Sequence, residues 1–195
     1  MISRFRTLLV AAGALAAVSV SSKAFALSLT EISPTPKTYA FGTDFGFFAD
    51  NIFGTGPSPL TEGPATGFLQ AVSNLGCSSS DYGAFAAGSI ALVFRGSCTF
   101  AVKAEQAISA GAAGLIIYNN VPGTAINGSI SILSGPMPTV FATNELGLHF
   151  LDELRTGQVR VNMNVSSVPL PASLPLIASA IGAMVFGTRR KKRKP

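Results

Sequence analysis

Blocks of apolar residues punctuate the second half of the chain and specify its elements. Residues 90–94, Ile-Ala-Leu-Val-Phe, form a short unbroken apolar run, the pattern of a strand buried on both faces. Residues 100–110 are alanine-rich and helical in composition. Ala101, Ala104, Ala107 and Ile108 fall on one side, with Lys103 and Glu105 expected nearer solvent. Thr99 is placed to cap the start of this helix and Gly111 to end it. Residues 115–118 repeat the buried-strand pattern and are closed by Asn119, Asn120 and Pro122. Strand, helix and strand within about 30 residues make a βαβ unit, whose crossover should be right-handed.

A second strand–helix–strand passage follows. Pro-Thr-Val-Phe-Ala, ending at Ala142, leads to Asn144, the expected N-cap of a helix. Leu146, Phe150, Leu151 and Leu154 share one face of that helix, and Gly157 ends it. Val159, Val161, Met163 and Val165 then alternate with Arg160, Asn162 and Asn164, as in a half-exposed strand. The first part of the body is rich in Gly, Pro, Thr and Phe and keeps neither a period of 2 nor of 3.6. It reads as short strands and turns, with Phe41, Phe45, Phe47, Phe48 and Phe53 expected to pack onto the domain, the alternative being an exposed apolar patch. The fold class is α+β: a compact domain with a mixed, barrel-like sheet and two helices.

Both ends carry a different pattern. Arg4 and Arg6 precede an uncharged apolar run at 8–20 and the sequence Ala24-Phe25-Ala26, the layout of a secretory signal cleaved after residue 26. The C-terminal segment, VPLPASLPLIASAIGAMVFGTRRKKRKP, has an uncharged run at 174–188 and six basic residues among the last seven. About 15 helical residues reach about 22 Å, and the preceding residues or bilayer thinning close the gap to a core of about 30 Å. The basic cluster marks the cytoplasmic side of such a membrane helix.

The segment resembles the PEP-CTERM sorting signal of Gram-negative, exopolysaccharide-producing bacteria. Val168-Pro169-Leu170-Pro171 lacks the glutamate of the usual Val-Pro-Glu-Pro and looks like the VPLPA variant of that signal. The resemblance implies an exosortase-like processing enzyme and the inner membrane as partners during sorting. It also implies export across that membrane, transient anchoring, and final residence at the cell surface or in the extracellular matrix.

Without the two ends the charge reverses. The whole chain carries 14 basic and nine acidic residues. Only Lys37, Arg95, Lys103, Arg155 and Arg160 lie in the body with all nine acids, a net of about −4. Nucleic acid is therefore not an expected partner. The expected divisions are a signal peptide (1–26), an N-terminal extension (27–49), the folded domain (50–165) and the sorting segment (166–195).

The domain's central residues carry a further resemblance. Arg95-Gly96-Ser97-Cys98-Thr99-Phe100, Lys103, Ala110-Gly111-Ala112 and Ile116-Ile117-Tyr118-Asn119-Asn120 are similar to the hallmarks of the protease-associated (PA) domain. That family's domain is an insertion in, or appendage to, peptidases, sorting receptors and ubiquitin ligases, and is regarded as a non-catalytic mediator of protein or peptide contacts. In its plant vacuolar sorting receptors the Arg-Gly-x-Cys-x-Phe loop lies beside the cargo-peptide cleft. The resemblance thus implies peptide binding at Arg95, Gly96 and Ser97. The chain leaves no room for a peptidase domain, so the module is expected to stand alone.

Candidate chemistry agrees with that expectation. Cys77 and Cys98 are an even pair in an exported chain, which reads as a disulfide closing a loop of about 20 residues. His149 is the single histidine and reads as a rim residue, leaving a zinc site short of ligands. No G-x-S-x-G, S-x-x-K, H-E-x-x-H or P-loop sequence occurs. No catalytic residue, metal or cofactor is expected, and the chain is not expected to be an enzyme. Arg95 either caps carbonyls or pairs with a carboxylate, or it contacts a ligand. The expected function is an exported, surface-targeted module for an unknown protein or peptide ligand. The alternatives are a structural component of the exopolysaccharide or cell-surface matrix, and a small hydrolase with an unrecognised site.

Overall fold

In the computed structural model, residues 23–49, 57–124, 127–131 and 134–169 are described. Nearly all of the signal segment, the rest of the proline motif from Leu170, the apolar run at 174–188 and the basic tail lie outside them. Among the described residues no helix is long and apolar enough to cross a membrane.

The unbroken apolar runs become parallel strands at the centre of a sheet. These are β5 (Ile90–Phe94), β6 (Gly114–Tyr118) and β8 (Thr139–Ala142), paired β5 with β6 and β6 with β8. The remaining strands in chain order are β1 (Lys23–Ser33), β2 (Lys37–Tyr39), β3 (Phe45–Ala49), β4 (Gly63–Ala71), β7 (Gly128–Ser129) and β9 (Arg160–Pro169). Among the described residues they form one mixed sheet in the order β2-β1-β9-β4-β5-β6-β8-β3-β7. Although β1 and β3 are far apart in that order, the Phe25 and Phe47 rings lie 5.9 Å apart, so the sheet curls back on itself.

Alternation along the central strands sends side chains to two separate cores. Ala91, Val93, Leu115, Ile117 and Phe141 face α1 (Phe100–Ser109) and meet Ala104 and Ala107 there. Ile90, Leu92, Ile116, Tyr118 and Val140 face the other way and meet Leu146 and Phe150 of α2 (Asn144–Thr156). A strand with apolar side chains on both faces needs a cover on each, and the two helices supply one apiece. Val161, Met163 and Val165 of β9 join the α2 side while Arg160 is exposed, as the alternation predicts.

Three local expectations are corrected. Lys103 is wholly buried on the sheet side of α1 and does not face solvent. The N-cap of α2 is Thr143, whose side-chain oxygen accepts from the Leu146 amide at 3.1 Å, and not Asn144. The N-terminal segment holds an 11-residue strand, β1, where shorter strands were expected. Leu27 and Leu29 alternate inward with Ser28 and Thr30, but Glu31 takes the next inward position and hides the pattern. β1 runs antiparallel to β9, pairing Ala24 with Val168 and Lys23 with Pro169. The expected cleavage sequence and the first half of the proline motif thus lie side by side at one end of the sheet. Of the phenylalanines expected to pack, Phe45, Phe47 and Phe48 are buried, Phe41 is exposed, and Phe53 lies outside the described residues.

Close packing between α2 and β6 depends on Gly147. A Cβ there would overlap Cγ and Cδ2 of the Tyr118 ring, itself held against Phe94. Gly147→Ala should therefore destabilise the domain by about 1–3 kcal/mol through overpacking. Urea denaturation should show a lowered midpoint; an unchanged midpoint would mean that α2 seats differently.

Candidate functional site

The parallel strands β5, β6 and β8 all end on the same side of the sheet, and their C-terminal residues build a corner. The Arg95 amide donates to the Tyr118 carbonyl at 2.9 Å, so the chain follows β6 for one residue beyond β5. It then turns sharply. Gly96 has φ +133° and Ser97 φ +61°, and only a residue without Cβ takes the first of these freely. Thr99 ends the turn as the N-cap of α1, accepting from the Val102 amide at 3.3 Å. Ser97 is exposed at the tip, and Arg95 and Gly96 are half-buried.

Three polar side chains tie the strand ends together. Arg95 Nη1 donates to Asn119 Oδ1 at 2.9 Å, and Asn144 Nδ2 donates to the Asn119 carbonyl at 2.9 Å. Asn119 is buried, and its amide donates to the Ala142 carbonyl at 3.0 Å. The guanidinium carbon of Arg95 lies 6.0 Å from the Phe100 ring centre and 5.9 Å from that of Phe141. Among the described residues Arg95 makes no ion pair, so its partner is neutral and not the carboxylate that was one alternative. The signal for Asn119 was in the sequence, at the end of an apolar strand. That for Asn144 was misread as a cap.

The corner is pinned from below by the Cys77–Cys98 disulfide, with Cα atoms 5.9 Å apart. The segment entering Cys77 is fixed by the buried carboxylate of Asp81. Asp81 accepts from the Cys77 amide at 2.8 Å, the Ser78 amide at 3.2 Å and Asn74 Nδ2 at 3.1 Å. The Asn74 hydrogen bond, followed by the Cys77 and Ser78 amides, outweighs the opposing pull of burial and holds the Asp81 carboxyl below its ordinary range. Lys103 reaches up from α1, and its Nζ donates to the Leu75 carbonyl and sits 3.7 Å from Cys77 Sγ. Burial pushes its amine below the usual lysine range, against the pull of Asp81.

A second group of polar residues gathers on the other face of the sheet. His149 of α2 is 39% exposed, as a rim residue would be, yet its Nε2 points inward. That atom lies 3.5 Å from Glu31 Oε2 of β1 and 3.7 Å from Glu153 Oε1. The three residues bring one ligand-type atom each within 4.8 Å of one another. With one histidine and two paired cysteines the sequence offers too few zinc ligands; Glu31 lies far from His149 along the chain, and β1–β9 pairing brings it beneath α2.

The fold and the corner define a class: an α+β domain with helices on both faces of a parallel core and a disulfide-pinned Arg-Gly turn. Residues 65–150 match the family model of the PA domain, and the chain contains a PA domain there. Curated relatives include Leucine aminopeptidase 2 of Trichophyton rubrum, 39% identical over 100 residues, which are 51% of this chain and 20% of that protein. The Aminopeptidase of Pseudomonas aeruginosa is 34% identical over 126 residues, 62% of this chain and 24% of that protein. Among solved structures, BSAP, a zinc aminopeptidase from Bacillus subtilis, superposes with a TM-score of 0.50 at 25% identity, covering 74% of this chain and 31% of that one. The aminopeptidase from Aneurinibacillus sp. strain AM-1 shares the fold with a TM-score of 0.55 at 23% identity, covering 74% and 32%. The chain spans about a fifth to a quarter of the length of these curated relatives. The expectation that the chain is not an enzyme is corrected by these matches: the relatives are named aminopeptidases and point to a peptidase family, of which this chain covers the PA portion.

Two outcomes follow from the pinning. Reducing the disulfide frees a loop of about 20 residues and should cost about 3 kcal/mol, read as a lowered urea midpoint in a phosphine reductant. An unchanged midpoint would mean that the bond constrains nothing. Asp81 has a depressed folded-state pKa, so its contribution is present above the ordinary carboxylate range and is lost as pH falls through the folded value. Asp81→Asn should be less stable than the parent at pH 7, and the two should converge in titrations below about pH 4. A constant gap down to pH 2 would contradict the assignment.

Proposed function

We propose that the domain is a polypeptide-contacting module that serves a peptidase outside the cytoplasm, with contact made at the turn of Arg95, Gly96 and Ser97. One observation carries the reading. Arg95 is held at the C-terminal ends of three parallel strands, beside an exposed turn, with its charge matched only to a neutral amide among the described residues. Ligands of open parallel sheets collect outside such strand ends. A half-buried guanidinium with unused donors there suits a carboxylate of an extended peptide, while main-chain groups of the turn supply further hydrogen bonds. The aminopeptidase names of the relatives support polypeptide as the ligand class and a peptidase as the working context. The secretory pattern at 1–26 and the PEP-CTERM-like segment at 166–195 support export and exosortase-type sorting to the surface.

The test is a peptide array probed with the full chain and with Arg95→Ala. The parent should bind peptides bearing an acidic side chain or a free C-terminal carboxylate. The variant should bind them at least about 10-fold more weakly, the effect of losing a charge-assisted hydrogen bond, while its melting temperature stays close to the parent's. An absence of parent binding, or equal binding by both, would overturn the reading.

A further inference from the structure

The group beneath α2 is unrelated to the corner and has its own logic. Glu31 is fully buried at an inward position of β1. Its Oε1 accepts from the Thr35 amide at 3.0 Å and its Oε2 from the Tyr39 hydroxyl at 2.7 Å. Those two bonds fix the carboxylate plane and leave Oε2 facing His149. At 3.5 Å and 3.7 Å, the separations from Nε2 to the two carboxylates are too long for good hydrogen bonds. Accordingly, His149 Nε2 and Glu153 Oε2 are shielded from solvent with no hydrogen-bond partner among the described residues.

We propose that Glu31, His149 and Glu153 form a zinc-type divalent-cation site that clips the N-terminal hairpin to α2. Bonds of about 2.1 Å from zinc to nitrogen or oxygen put tetrahedral ligands about 3.4 Å apart. The observed 3.5 Å and 3.7 Å separations are close to that edge length. Tyr39 and Thr35 act as the outer partners that orient a ligating carboxylate. The Tyr39 and Phe150 rings, 6.2 Å and 5.8 Å from the imidazole, wall the site. One imidazole and two carboxylates suit zinc and its neighbours, whereas calcium and magnesium need a larger set of oxygens. His149 and Glu153 lie one turn apart on α2, and Glu31 and Tyr39 lie on β1 and β2, so an ion here would join elements from opposite ends of the domain.

The chain makes the test clean, because His149 is its single histidine and both cysteines are in the disulfide. The full, untagged chain is stripped with a chelator and titrated with zinc chloride or calcium chloride. Two signals are followed: the melting temperature, and carbethoxylation of His149 by diethyl pyrocarbonate, read by mass spectrometry. Zinc should raise the melting temperature by about 5 °C near saturation and slow the labelling at least about 10-fold. Calcium at the same concentration should do neither. Glu153→Gln, in a partly exposed position, should keep its fold by circular dichroism and lose the zinc shift, as should His149→Ala. Zinc leaving both signals of the parent unchanged would overturn the proposal without recourse to any variant. So would a zinc shift that persists in His149→Ala, and equal effects of calcium would overturn the assigned ion class.

Discussion

Burial of β5, β6 and β8 on both faces is the constraint from which the rest of the molecule follows. Side chains that alternate between two apolar cores cannot leave either face wet, so one helix must cover each side. Parallel pairing then aligns the strands' C-terminal ends. Arg95, Asn119 and Asn144 meet there because each lies one or two residues past a strand. The corner is thus a consequence of core packing, and the disulfide pins it.

The two polar assemblies differ in how they tolerate burial. At the corner nearly every group has a partner: Asn119 uses its amide, carbonyl and side-chain oxygen, and Lys103 has the Leu75 carbonyl. Buried groups of that kind rigidify a structure because each bond would be costly to leave unmade. Beneath α2 the opposite holds: among the described residues, shielded atoms of His149 and Glu153 lack hydrogen-bond partners beside a fully buried carboxylate. The first assembly satisfies its buried members and leaves the half-buried Arg95 guanidinium with donors to spare; the second leaves buried atoms unmatched among the described residues.

The sequence announces the elements whose pattern is unmixed. β5 and the central residues of β6 are uninterrupted apolar runs, residues 159–165 leading through β9 alternate, and both helices carry clear stripes. Elements that mix core and chemistry are harder to read. β1 escapes because Glu31 holds a core position, and Lys103 misleads because its long stem can lie in the core while its amine reaches a carbonyl. Thr143 and Asn144 are both capping residues. The chain caps with the first and turns the second toward Asn119. The turn of the corner is legible because Arg95 to Phe100 lie within one short motif, whereas Asn144 meets Asn119 only in the folded sheet and the Glu31–His149–Glu153 group exists only once β1 pairs with β9.

The central claim is that the strand-end corner is where this PA domain meets polypeptide. Amide NMR of the isotopically labelled chain, titrated with a bound peptide, tests it directly. The account predicts shift changes concentrated at Gly96, Ser97, Asn119 and Asn120, with the far edge strand β2 unmoved. Changes concentrated along β2 and β1 with a silent corner would contradict it.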